Sequence, residues 1–230
     1  MTKAKASARK SGGSDESRLR SAVIETARAM SDSGLSPGRS GNVSARFDGG
    51  MLITPTGLAY ADIRSKDIVY VAADGSVPGK QKTPSSEWQF HLSAYEARPD
   101  MSAVVHTHSL HAVVLSCAGR AIPAFHYMVA VAGGVDIPLV PYATFGSAEL
   151  AVHVATGLAE RRACLMAHHG AIAMGETLAD ALALAHEVEV LAEQYVKLLT
   201  LGEPAMLPDG EMAVVLERFK TYGQQRPDAD

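Results

Sequence analysis

His106 and His108 are separated by a single residue and follow Val104-Val105. β-Branched residues favour a strand, and side chains two apart on a strand point the same way. The two imidazoles can then converge on one point, which is half of a zinc site; a pair of polar core or surface histidines would carry the same spacing. A second apolar run, Ala163-Cys164-Leu165-Met166-Ala167, leads to His168-His169-Gly170. Neighbouring strand residues face opposite ways, so only one of this second pair can join the first. Two strands each ending in histidine give a three-histidine site with an open position, the arrangement of a catalytic zinc.

Three further stretches carry groups for acid, base or anion chemistry. In Thr83-Pro84-Ser85-Ser86-Glu87-Trp88 the residues open a helix expected to run to about Arg98. Ser85 and Ser86 are ordinary helix caps, and they are equally well placed to hold phosphate at a helix N-terminus. Glu87 either complements the helix dipole or stands beside the metal as a proton-transfer group. The run Ser36 to Ser44 contains Gly38, Gly41 and Asn42 and reads as a long turn before a strand or as an anion cradle of close backbone N–H groups. Thr54-Pro55-Thr56-Gly57 ends a strand in a second turn of hydroxyls and glycine.

These stretches must be held by regular elements, and the chain is long enough to supply them. At 230 residues, 47% of them hydrophobic, it can bury one substantial core. The net charge of -4 argues against nucleic acid or an anionic membrane surface as partner. No apolar run reaches the length of a membrane span, and Met1 to Ser14 lacks the apolar core of a signal peptide, so a cytoplasmic protein is expected. The two cysteines, Cys117 and Cys164, form no framework. Residues 1–15 are expected to be a disordered tail. Helices are expected at Glu16–Ser33, from Thr83 to Arg98, Ser109–Cys117, Ala148–Glu160, Thr177–Leu201 and Glu211–Tyr222. Strands are expected at Met51–Thr54, Ile68–Val71, Pro138–Val140 and Ala163–Ala167, besides the His-x-His strand, with a hairpin signal at Asp74-Gly75. His111, His186, Glu187 and Glu189 read as structural.

The pieces together resemble the class II aldolase/adducin family. The residues carrying the resemblance are Gly41-Asn42-Val43-Ser44, Ile53-Thr54-Pro55-Thr56-Gly57, Pro84-Ser85-Ser86-Glu87-Trp88, His106-Thr107-His108, His126-Tyr127-Met128, His169-Gly170 and Phe219-Lys220-Thr221-Tyr222-Gly223, in the family's order. The resemblance implies a single three-layer α/β/α domain over residues 16–223, with a mixed, largely antiparallel sheet and a C-terminal tail at 224–230. It implies one zinc ion per subunit on His106, His108 and His169, since the family uses the histidine before glycine. Phosphate would be held by Gly41, Asn42, Thr56, Gly57, Ser85 and Ser86. Glu87 would be the acid/base, Tyr127 a proton donor reaching in from a neighbouring subunit, and Tyr222 a residue lining the aldehyde side. The assembly would be a homotetramer with active sites between subunits. The implied reaction is reversible cleavage of a ketose 1-phosphate, such as L-fuculose 1-phosphate, to dihydroxyacetone phosphate and a small aldehyde, such as L-lactaldehyde. A pentulose-phosphate 4-epimerase, a sugar-acid phosphate decarboxylase and a non-catalytic adducin-like module share the scaffold. Epimerase-like members tend to carry Asp at the position of Glu87, and the adducin branch has lost zinc histidines. Arg39 and Ser40 depart from the pattern, standing where a similar member has a smaller Thr-Ala pair.

Overall fold

The computed structural model describes residues 4–221. Tyr222, expected to line the aldehyde side, lies outside the described residues. Seven strands form one sheet: β1 (Asn42–Phe47), β2 (Gly50–Ile53), β3 (Val69–Val71), β4 (Ala103–Thr107), β5 (Leu139–Val140), β6 (Ala163–Met166) and β7 (Gly170–Gly175). Their order across the sheet is β3-β2-β1-β4-β7-β6-β5. Neighbours are antiparallel except β5 and β6, which are parallel. The mixed, largely antiparallel sheet is the one expected.

Alternation along the strands divides the core in two. Ala103 and Val105 of β4 face one side, with Val43, Ala45, Leu165, Ala171 and Ala173. Against that side lie α1 (Ala4–Asp32), α3 (Leu110–Cys117), α5 (Leu178–Leu201) and α6 (Asp209–Phe219). Val104 faces the other side, with Met51, Ile53, Cys164, Ile172 and Met174, where α2 (Trp88–Ala97) and α4 (Ala148–Leu158) pack. The result is the three-layer α/β/α arrangement, built from a period of two along each strand. The long helix α5 starts where a reciprocal cap predicts it. Thr177 Oγ1 accepts from Asp180 N at 3.1 Å, and Asp180 Oδ2 accepts from Thr177 N at 3.1 Å. Ser147 caps α4 through Leu150 N at 3.1 Å, also as expected.

Four expectations need correction. Residues 4–15, expected as tail, continue α1; alanine, lysine and arginine crowd that stretch and are strong helix formers. Helix α2 begins at Trp88, not near Thr83, because residues 83–85 pair with the β2 exit instead: Thr56 N donates to Thr83 O and Ser85 N to Thr54 O. The Asp74-Gly75 turn forms, with Asp74 Oδ1 accepting from Ser76 N at 2.9 Å, but no second strand of a hairpin follows it. Strand β7 was not expected, since its Ala171-Ile172-Ala173-Met174 lacks the β-branched enrichment of a strand. The described residues include no helix long and apolar enough to cross a membrane.

Candidate active site

His106 sits near the end of β4, between two strands that both serve the site. Asn42 of β1 is its partner on one side and Ile172 of β7 on the other. The ring is fully buried, edge-on to Phe90 with centroids 5.2 Å apart. Its Nδ1 lies 2.9 Å from Ala171 O. A carbonyl only accepts, so Nδ1 carries the proton and the Nε2 lone pair is left for a ligand. His108, just past the strand, brings its Nε2 to within 3.0 Å of that of His106.

His168 and His169 occupy the tight connection between β6 and β7, not a strand. Strand alternation therefore does not choose between them, contrary to the sequence argument; the turn does. His168 adopts φ 56°, in the left-handed region, and its ring lies edge-on to Tyr142 at 6.0 Å. His169 turns back to the other two, with ring centroids 4.9 Å from each. Gly170 is required beside it: a Cβ there would stand 2.3 Å from Thr107 O.

Glu87 completes the group from the residue before α2. Its Oε2 lies 3.2 Å from His106 Nε2 and its Oε1 2.9 Å from His169 Nε2. The second contact is not aligned as a hydrogen bond, so Oε1 is a buried acceptor without a donor. Burial alone would raise the Glu87 carboxyl, but His106 and His169 outweigh it and hold it well below the ordinary range. Burial, and then the nearby His106 and His169, push His108 down to about 3, so it stays neutral.

One ligand atom from each of Glu87, His106, His108 and His169 lies within 4.8 Å of all the others. Three imidazoles with free lone pairs, one ionised carboxylate and an orphaned buried oxygen fit a divalent cation. The 3.0 Å between His106 and His108 Nε2 is close to the roughly 3.3 Å edge of a tetrahedron with Zn–N bonds of 2.0–2.1 Å. The sequence-predicted ligands are thus brought together, and His168 stays out of the group.

Glu87, His108 and His169 of this group line a cleft of about 440 Å³. Gly41, Asn42, Thr56, Gly57, Ser85 and Ser86 all line it. What unites them is the bridge between Pro55 and Pro84, which sets the Thr56 turn beside the serines. The serines precede the helix cap position, which Glu87 itself takes, and Ser85 Oγ accepts from Glu87 N at 3.3 Å. Gly41 lets the chain enter β1 against the site: a Cβ would meet His106 O at 2.8 Å and Ser36 Oγ at 2.0 Å. Arg39 also lines the cleft, its guanidinium donating to Gly57 O at 2.9 Å.

Tyr127 is not brought to this group. It begins a short 3₁₀ segment, Tyr127–Ala132, is 46% exposed, and lines a separate depression with Phe125, Arg218 and Phe219. Sequence reasoning missed Tyr142 and Phe145, exposed aromatics that line the cleft, and the buried His91 behind it. Glu87, His91 and Tyr95 recur every fourth residue, a stripe that would have been visible as a helical period.

The fold and this site define a class. Residues 21–196 match the model of the class II aldolase and adducin N-terminal domain, and the chain belongs to that family. Among similar proteins is a 5-methylthioribulose-1-phosphate/5-deoxyribulose-1-phosphate aldolase of Rhodospirillum rubrum, 54% identical over 205 residues, covering 89% of this chain and 92% of the relative. The L-fuculose phosphate aldolase of Escherichia coli strain K12 is 50% identical over 210 residues, covering 91% and 97%. A solved L-fuculose 1-phosphate aldolase superposes with a TM-score of 0.84 at 39% identity, over 88% of this chain and 96% of that one. Within the family this chain is an enzyme of the aldolase type, a lyase.

Proposed function

We propose that the chain reversibly cleaves a ketose 1-phosphate, with L-fuculose 1-phosphate the leading candidate, into dihydroxyacetone phosphate and a small aldehyde, L-lactaldehyde. The observation that carries the reading is the Glu87–His106–His108–His169 group, with Glu87, His108 and His169 lining a cleft walled by hydroxyls and backbone N–H groups. We propose zinc as the metal, one ion per chain, held by the three histidines; a site dominated by nitrogen donors suits it. When bound, the ion supplies Lewis acidity toward the substrate's carbonyl and neighbouring hydroxyl oxygens.

The chain's own residues do the rest. Thr56, Gly57, Ser85 and Ser86 bind the phosphate, fixing the distance from the phosphate end to the reacting carbons. Asn42, occupied by two protein contacts, keeps one amide N–H for it. In the condensation direction ionised Glu87 takes a proton from the hydroxymethyl carbon of dihydroxyacetone phosphate. In cleavage the C3–C4 bond breaks, its electron pair stays on C3, and Glu87 returns the proton there. Tyr127 of a neighbouring subunit gives or takes the proton of the aldehyde-side oxygen. The Arg39 guanidinium adds positive charge at the phosphate end.

A second reading is favoured by the Rhodospirillum rubrum relative: the same cleavage of 5-deoxyribulose or 5-methylthioribulose 1-phosphate. Both readings share one product, so a panel of ketose 1-phosphates assayed for dihydroxyacetone phosphate ranks them. Release that is lost with a chelator and returns with zinc supports the proposal; a panel without release sinks it. Glu87→Gln isolates the proton step. It is expected to slow exchange of the dihydroxyacetone phosphate proton with deuterated water by roughly a hundredfold or more, with metal content unchanged. A wild-type exchange rate would remove Glu87 from the mechanism.

A further inference from the structure

Behind Glu87 runs a continuous line of buried polar side chains, beginning at Asn42 in the cleft wall and continuing through His91, Ser44 and Tyr95, which the reaction does not touch. Asn42 Nδ2 donates to Glu87 Oε2 at 2.8 Å. Asn42 Oδ1 lies 2.5 Å from His91 Nε2. His91 Nδ1 lies 2.7 Å from Ser44 Oγ, and Ser44 Oγ lies 2.8 Å from Tyr95 OH. Glu87, His91 and Tyr95 are successive fourth residues at and along α2; Asn42 and Ser44 are alternate residues of β1. The two rows interleave. None of the five residues is exposed by more than 7%, and His91 and Ser44 are not exposed at all.

The chemistry of the ends fixes every proton in the line. Asn42 turns its NH2 toward Glu87 Oε2, so its carbonyl oxygen is the atom that faces His91. That oxygen only accepts, so His91 carries its proton on Nε2. His91 Nδ1 is then an acceptor, Ser44 donates to it, and Tyr95 donates to Ser44. Reversing any member sets two acceptors or two donors against each other among buried groups, which is costly.

We infer that His91 is a positioning residue: through the amide of Asn42 it sets the orientation of the Glu87 carboxylate. It touches neither the metal group's nitrogens nor the cleft. Without its N–H, the Asn42 amide loses the contact that distinguishes one flip from the other, and Glu87 loses its fixed donor at Oε2. The inference rests on Glu87 as the proton-transfer group. A merely structural His91 would only tie α2 to β1 and would leave turnover alone in folded protein.

The test uses metal-loaded enzyme and the exchange of the dihydroxyacetone phosphate proton. His91→Leu is expected to lower kcat for exchange about tenfold or more, with KM and metal per chain within about twofold of wild type. His91→Gln, which offers an N–H to Asn42 and an oxygen to Ser44, is expected to restore most of the loss. Wild-type kcat in folded His91→Leu, or a loss that His91→Gln does not repair, overturns the inference. Because His91→Leu is able to fail by misfolding, the tautomer is read directly from 15N-histidine NMR of the wild-type enzyme, with the signal assigned by its absence in His91→Gln. The Nε2–H tautomer is expected, and Nδ1–H overturns the proposal. Failure of the parent reading looks different: there Glu87→Gln itself exchanges at the wild-type rate.

Discussion

Between two adjacent histidines, backbone conformation decides which one joins His106 and His108. His169 follows a left-handed residue and is returned to the group; His168 is that residue, and its ring leans toward Tyr142 at the cleft wall. His169→Ala is therefore expected to lose most of the bound zinc, whereas His168→Ala keeps it, as read by metal analysis after dialysis. The reverse pattern would refute the assignment. His106 and His108 were legible from sequence because a strand with period two needs only one intervening residue to converge two rings. His168 and His169 were half legible: the turn that separates them depends on β7, which the alanine-rich composition concealed. Asn42 was marked as a donor from its Gly-Asn-Val-Ser setting, but its partners were not. They come from a helix 45 and 49 residues away in sequence, and no local pattern states which helix a strand will meet.

At the scale of elements, α2 is where a rule of burial is broken and repaired. Its inward face carries a histidine with no exposure, and such a ring is tolerated only when both nitrogens are satisfied. Burial above all, and then the neighbouring His106, pushes His91 down from 6.5 to about 3, although Glu87 pulls the other way. The unfolded chain takes up this proton near pH 6.5 and the folded protein does not until about pH 3. Between those values the unfolded state binds more protons, so stability rises with pH and falls on acidification. From pH 7 to pH 5 this one residue is expected to cost roughly 2 kcal/mol. Urea unfolding of wild type and His91→Gln, both with chelator, checks it: the variant should lose less stability over that interval. Equal losses would mean the ring is not held neutral. Elsewhere helices such as α4 and α5 were readable because Ser147 and Thr177 announce them. The start of α2 was not, because Thr83 to Ser85 pair with the β2 exit and only long-range backbone bonds reveal that.

For the whole molecule, composition allowed one substantial core, the family resemblance implied its three layers, and the sheet order was not legible, since it depends on which edges meet. One chain also leaves Tyr127 on a face away from Glu87. If neighbouring subunits share a site, mixing Tyr127→Phe with Glu87→Gln protein under subunit exchange is expected to return activity that neither has alone. Verified mixed oligomers without activity would refute sharing. A last consequence lies in the interleaved rows of α2 and β1. Four residues of helix advance about 6.0 Å, two of strand about 6.6 Å. They behave as the two scales of a vernier, slipping by about 0.6 Å at each rung, and hydrogen bonds tolerate only a few such steps. The marks coincide at Asn42 and Ser44. By Arg46, the next residue of the row, a long side chain has to span the gap, and its guanidinium donates to Tyr95 O at 2.9 Å and Met101 O at 3.1 Å. Such a seam ends itself after about three rungs, so lengthening α2 or β1 would add no further grip on the carboxylate.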